Sequence, residues 1–490
     1  MRFVLDYAAR LVRHRPPKMV RPWALAAPVL VLLVALPLLR PLRYPSPFQM
    51  SDDEKARLAT VQAIVEHGTL SIDATDFTTT QAKVEVRDRK ADPNQRPPRD
   101  HWYADQPPTM AALLSASYWV MYRNGLTLAR DGPMVMYLLT ILGSALPAAC
   151  AAGLIYRMSR LFELRRPWRA ALAAAAVLAT GLISYATVLN PHAPAAALVL
   201  AAAACLVHVT ISPRKPNRAL WCGVAGICAA LGAAIDPSGI PFLPLFIPVI
   251  VSIRWRARAR LGGVAAFLLG AAMPIAFHGM LTAWATGDFL QGIGYNPPAR
   301  QLAAAGPGNS LAPAASPDPA DDPDAAPPAL PRRVLSALVG AHGLLSHFPV
   351  LVLGVVGVGM VMHRHWPMAA KVLASATVAG AVFLVVACAA HRGDPGDWRD
   401  AMFAARWFVV FGPLVLFWSG AWLKRSHRTF AWVAVGVLLA FSTAVSVVGA
   451  AAGPLPEDGF GFGRYTAADA WDRLTHPPGP GRLPPVVASR

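Results

Sequence analysis

Eleven stretches of this 490-residue chain are apolar enough and long enough to cross a lipid bilayer, and they limit the folds open to it. A hydrocarbon core about 30 Å thick takes roughly 17–25 helical residues. Inside it every backbone polar group must be satisfied within the protein, which leaves helices or a closed barrel. The stretches are 23–39, 132–156, 170–189, 193–211, 219–235, 239–253, 261–286, 344–362, 372–390, 407–423 and 429–452. The sixth is short, and Pro241, Pro244 and Pro248 make it an irregular helix. Continuous apolar runs of this length read as helices, so the expected fold class is an all-α polytopic membrane protein with about 11 transmembrane helices. Only 15% of the residues are charged, against about 25% in soluble domains.

The net charge of +18 raises the question of nucleic acid, and the placement of the charges answers it. A twelfth apolar stretch, 108–122, is only 15 residues long. If it is left out, the inward-facing segments are 1–21, 157–169, 212–218, 254–260, 363–371 and 424–428. These hold 23 of the 45 basic residues in 62 positions, with two acids, Asp6 and Glu163. Such a bias obeys the positive-inside rule. Counting 108–122 as a span would invert the Arg157–Arg169 cluster, so this stretch is expected to be an interfacial helix. The basicity is topological and implies no nucleic-acid partner. The N-terminus resembles a signal peptide, but Arg40-Pro-Leu-Arg43 follows with no small-residue cleavage site, so it is expected to remain as an anchor.

The expected organisation is a cytoplasmic N-terminus (1–22) and one transmembrane domain (23–452). Its outer loops are 40–131, 287–343 and 391–406, and an outer tail covers 453–490. Within the second loop, 303–331 is Ala/Pro/Asp low complexity and reads as a disordered insertion. The five cysteines all fall in apolar runs, at no metal-ligand spacing, and read as small buried hydrophobes.

Candidate chemistry concentrates outside. Ser51-Asp52-Asp53-Glu54 opens a helix over 52–67, with Leu58, Val61, Ile64 and Val65 at helical spacing, expected to lie on the membrane surface and to end at Gly68. Ser51 with Glu54 forms a capping box, so one reading of the three acids is that they complement the helix dipole. The other is acid–base chemistry, a carboxylate at the surface deprotonating an alcohol. Arg57, one turn after Asp53, keeps it ionised on that reading. Trp102-Tyr103-Ala104-Asp105-Gln106-Pro107-Pro108 then runs into the interfacial helix. Arg406 is either an interfacial snorkeller or a phosphate ligand. Asp236 either makes a turn before Pro237 or lines a cavity, and His192 and His347 sit at outer helix ends.

Together these features resemble the GT-C superfamily of polytopic glycosyltransferases, which includes the protein O-mannosyltransferases and the aminoarabinose transferase of lipid A. The matching residues are Asp52-Asp53-Glu54 with ATVQAIVEHGTLSID, YADQPPTMAALLSASYW, the tip Tyr185…Asn190-Pro-His192-Ala-Pro, Ala405-Arg406-Trp407 and GLLSHFPVLVLG at 343–354. The resemblance implies a sugar moved from a polyprenyl-phosphate donor to a glycan, lipid or protein acceptor at the outer face. It implies Asp53 as general base with Asp52 as its rival. Arg57, Tyr103, Gln106, Pro107, His192, Arg399 and Arg406 would be substrate contacts. The family's phosphate-binding Lys is Gln106 here, so the positive charge must come from Arg406, Arg399, Arg392 or His391. No metal is assigned. The setting implied is a bacterial inner membrane with the N-terminus inside and the C-terminus outside. Two alternatives remain: an inactive scaffold of the same fold, motivated by Gln106, and a lipid or solute transporter, for which only His208 and His278 lie deep in spans.

Overall fold

The computed structural model describes residues 22–40, 50–77, 83–87, 100–211, 217–286, 330–340, 343–363, 365–390, 406–424, 429–452 and 467–475. It opens with helix α1 (Pro22–Ala35) and a 3-10 turn over Leu36–Leu38. The long loop that follows carries α2 (Asp52–Gln62), strands β1 (Lys83–Arg87) and β2 (Asp100–Ala104), and α3 (Pro108–Arg123). Next come α4 (Leu128–Thr140), α5 (Leu146–Met158), α6 (Arg166–Leu178) and the single turn α7 (Leu182–Tyr185). Helices α8 (His192–Ile211), α9 (Arg218–Ile235), α10 (Phe242–Ser252) and α11 (Ala257–Thr286) form the middle of the bundle. The last part holds α12 (Leu330–Val339), α13 (Leu344–His347), α14 (Leu351–Met362), α15 (Met368–Ala390), α16 (Gly412–Phe417), α17 (Gly420–Leu423), α18 (Thr429–Ala452) and α19 (Ala467–Thr475).

The chain is a helical, multi-pass membrane protein. Among the described residues six helices are long and apolar enough to cross a bilayer, or seven if the bent pair Leu330–His347 and Leu351–Met362 is one span. Three shorter apolar helices, Pro22–Leu38, Pro237–Ser252 and Gly412–Leu423, coincide with three further expected spans. The stretch 170–189 departs from expectation. It is not one helix, because α6 stops at Leu178 and Gly181 adopts a left-handed φ of +77° before α7. A Cβ on Gly181 would stand 2.7 Å from the Phe348 ring, so the break is built around a residue without a side chain.

Bundle packing relies on small residues. Helices α9 and α11 cross closely: a Cβ on Gly226 would overlap the Phe267 carbonyl oxygen, and one on Gly270 would overlap the Gly223 carbonyl. Such contacts let backbones touch where lipid supplies no hydrophobic drive. On the far face of α11, Leu261, Leu269 and Met273 are exposed, as suits side chains that meet acyl tails.

The long loop also corrects the sequence reading. Helix α2 does not lie on a surface with a wet face. Lys55, Arg57, Thr60 and Gln62 are buried along with Ala56, Leu58, Ala59 and Val61. Burial of its polar side requires partners, and they exist: Arg57 donates to the Leu189 carbonyl at 2.8 Å, and Gln62 donates to Asp76 at 2.7 Å. The helix ends in a π turn over Ala63–His67, capped by Gly68 at φ +65°. Strands β1 and β2 form an antiparallel ribbon that hydropathy did not reveal, with Val84 opposite Tyr103.

Helix α3 exposes Leu113, Trp119, Val120 and Tyr122 while burying Met110, Leu114 and Tyr118. Most of the low-complexity stretch 303–331 lies outside the described residues, but Leu330 and Pro331 already belong to α12. Within 453–490, α19 packs against α18. Cys205 and Cys222 are buried as expected, whereas Cys150 is exposed on an apolar helix.

Candidate active site

The site is assembled from helix ends. Ser51 caps α2, accepting from the Glu54 amide while the Glu54 carboxylate receives the Ser51 N–H, a complete capping box. Glu54 does more than cap. Its Oε2 pairs with Arg40 at 2.9 Å, both side chains 2% exposed, and its Oε1 accepts from the Leu189 amide at 3.2 Å. The Arg40 amide donates in turn to the Thr187 carbonyl at 2.9 Å. Three segments distant in sequence are thereby clamped together, with Asp53 beside the clamp and Arg57 one turn further on.

A second clamp fixes His192. Asn190 takes the N-cap role for α8, its Oδ1 accepting from the amides of His192 (2.9 Å) and Ala193 (3.3 Å). His192 Nδ1 is hydrogen-bonded to the buried Asp236 carboxylate. The Tyr185 ring stands edge-on to the imidazole with centroids 5.3 Å apart. Asp236 also accepts from the Ser238 amide at 2.9 Å and its hydroxyl at 2.7 Å. Burial pushes the Asp236 carboxyl up, but the neighbouring His192 and the bonds from Ser238 outweigh it and hold it below the usual carboxylate range. Asp236 therefore satisfies both sequence readings, as turn residue and as cavity wall.

A third support carries α3. Thr109, in its first turn, is hydrogen-bonded to His278 of α11 at 2.7 Å, and both are buried. Pro107 precedes the helix and Pro108 opens it, as befits a start where no N–H need be satisfied. Upstream, Asp73 accepts from the Trp102 amide at 2.9 Å and meets His101 at 2.7 Å, tying β2 to the segment after α2.

Between these supports lies one cleft of about 480 Å³, its open mouth included. Its walls include Asp53 and Arg57 of α2, Gln106 and Pro107 before α3, His192 of α8, Asp236 after α9, and Arg406 at the start of a 3-10 turn. Six of the expected site residues thus share one cavity. Tyr103 is not among the residues that line it and lies in the ribbon, opposite Val84. The Asp52 side chain and the whole of Arg399, Arg392 and His391 lie outside the described residues.

Sequence reasoning gave no site role to Met110, Pro191, Ile235 or Pro237, which also line the cleft. Each adjoins or lies one turn from a residue that it did name. The Arg40–Glu54 pair was missed because Arg40 entered only the argument against a cleavage site and Glu54 read as a cap. Among the described residues, no group of three or more His, Cys, Asp or Glu side chains is arranged to hold a metal ion.

No protein-family model matches the chain, and no curated protein does. Among solved structures, it is similar to the apo oligosaccharyltransferase of Archaeoglobus fulgidus, with a TM-score of 0.50 and 12% identity over 95% of this chain and 59% of that one. The chain has the GT-C fold. Also similar are ArnT of Cupriavidus metallidurans bound to undecaprenyl phosphate, with a TM-score of 0.46 and 14% identity over 88% of this chain and 69% of that one, and AglB of Archaeoglobus fulgidus in complex with an inhibitory peptide and a dolichol-phosphate, with a TM-score of 0.46 and 13% identity over 89% and 56%. The chain spans about three-fifths of the length of the first oligosaccharyltransferase structure. At such identities the likeness describes the GT-C fold and leaves the chemistry to this chain's own residues.

Proposed function

We propose that the protein is an integral membrane glycosyltransferase that moves a sugar from a polyprenyl-phosphate donor to a hydroxyl-bearing glycan or lipid, or to a protein acceptor. The observation that carries this reading is the single cleft joining Asp53 to Arg57, His192 and Arg406, although Asp53 and Arg406 stand far apart in the chain. A carboxylate with cations around it in one cavity supplies both halves of such a transfer.

In the step proposed, the Asp53 carboxylate takes the acceptor's O–H proton as that oxygen attacks the anomeric carbon. The bond from that carbon to the phosphate oxygen breaks, and the polyprenyl phosphate leaves with the bonding electron pair. Arg57 and Arg406 stabilise the charge on the departing phosphate, as guanidinium groups do for oxyanions. His192, oriented through Nδ1 by Asp236, presents its ring to the same space. Gln106 stands where the resembling enzymes carry Lys, so the phosphate charge falls to the two arginines. The active face is proposed to be the outer side of a bacterial inner membrane, with the N-terminus inside.

The test is transfer of radiolabelled sugar from polyprenyl-phosphate donors by the purified full chain in detergent. Asp53→Asn should lose activity by about a hundredfold or more, the scale of a missing general base, while keeping the wild-type melting temperature. Asp52→Asn should retain most of it. The reverse pattern would make Asp52 the base, and a well-folded wild type that neither binds nor uses any such donor would overturn the reading.

A further inference from the structure

The amide of Gln106 stands out among the groups of the cleft. Its Oε1 and Nε2 are both buried, and neither meets a hydrogen-bond partner among the described residues. Proteins satisfy roughly nine-tenths or more of their buried polar groups, so an amide unsatisfied at both ends on a cleft wall calls for a partner beyond the described residues, which a ligand in the cleft can supply. The backbone cannot supply one locally: the next two residues are Pro107 and Pro108, which have no N–H to offer Oε1. Two polar groups of the cleft wall do not bond it either: Arg57 gives one donor to the Leu189 carbonyl and His192 pairs with Asp236.

A primary amide presents one acceptor and one pair of donors in a single plane. A phosphate offers acceptors alone and would leave Oε1 buried without a donor. A lone hydroxyl engages one end or the other. A secondary amide is trans, with N–H and C=O on opposite sides. It therefore meets Gln106 with its N–H, a donor that must find an acceptor, given to Oε1, while the oxygen of the neighbouring sugar hydroxyl accepts from Nε2. We propose that Gln106 reads the acetamido group of a 2-acetamido sugar carried on the polyprenyl phosphate. This rests on the transfer reading above, in which Arg57 and Arg406 hold the phosphate and the attached sugar lies beside them in the cleft. The neutral residue at position 106 then recognises a sugar substituent and selects the donor.

The experiment compares binding of two donors to the full chain in detergent: polyprenyl-phosphate N-acetylglucosamine and the matching polyprenyl-phosphate glucose. Wild type should bind the acetamido sugar about ten- to a hundredfold more tightly, the range for a hydrogen-bonded pair whose loss strands a buried partner. In Gln106→Leu that preference should collapse to within about twofold, with Gln106→Glu, which keeps the shape and loses the donor, in between. The melting temperature of each variant guards against misfolding. Equal binding of the two sugars by wild type overturns the acetamido assignment and leaves glycosyl transfer standing. A preference that survives in a folded Gln106→Leu moves the reader elsewhere and also overturns it. Wild type that binds neither sugar nor bare polyprenyl phosphate removes the transfer reading itself.

Discussion

At the scale of single residues, two buried side-chain pairs stand beside the cleft, Arg40 with Glu54 and His192 with Asp236. Arg40 and Glu54 are both almost wholly buried, and removing one partner of such a pair leaves an uncompensated charge, at a cost of about 3–5 kcal/mol. Glu54→Gln should therefore lower the melting temperature sharply, and the double variant Arg40→Met with Glu54→Leu should recover much of the loss. A double variant no better than the single one would show that the pair's value lies in its bonds to the 187–189 segment. Asp236 makes a prediction in pH. Its folded value is depressed, so its stabilising contribution is complete above the ordinary value of 3.8 and fades as pH falls through the lower folded one. Asp236→Asn should be less stable than wild type near neutrality, with the gap narrowing on titration from about pH 5 to pH 2. A gap that stays constant across that titration would contradict the assignment.

At the scale of elements, the crossing of α9 and α11 can be tested by adding bulk. Gly226→Val would drive a side chain into the Phe267 carbonyl, and separating the two helices should lower the melting temperature by well over that of the control Gly262→Val, whose Cβ would meet open space. Equal effects would deny the close packing. This scale also shows what the chain made legible. Hydropathy marks the long spans because lipid imposes one requirement along their whole length, and the helix over 108–122 emerged from charge placement. The break at Gly181 was hidden because 170–189 is apolar throughout, and an internal backbone kink leaves composition unchanged. The ribbon of Lys83–Arg87 with Asp100–Ala104 was hidden because its pairing joins short segments across an intervening loop. For the cleft, tips such as Asn190-Pro191-His192 were visible as polar interruptions. The burial of α2 was not, since Lys55, Arg57 and Gln62 read as a wet face until their partners on other segments are known.

At the scale of the whole molecule, the bundle presents apolar side chains such as Leu269 and Met273 to its surroundings, while Asp53, Arg57, His192, Asp236 and Arg406 line one cleft. The basic residues of 157–169, 254–260 and 424–428 predict which end faces the cytoplasm. Alkaline phosphatase fused after Gly125 should be active in the periplasm, and fused after Glu163 it should be inactive; the opposite result would invert the proposed orientation. The cleft also has a consequence for how the protein is made. Its walls come from five separate segments, the first at Asp53 and the last at Arg406. A ribosome adding about 5–20 residues per second needs roughly 20–70 s to cover the roughly 350 residues between them. During that interval the nascent chain holds a carboxylate without its full set of cations. With Asp53 and Arg406 acting as proposed, products truncated before Arg406 should transfer no sugar, and the last segment to arrive would serve as the arming step.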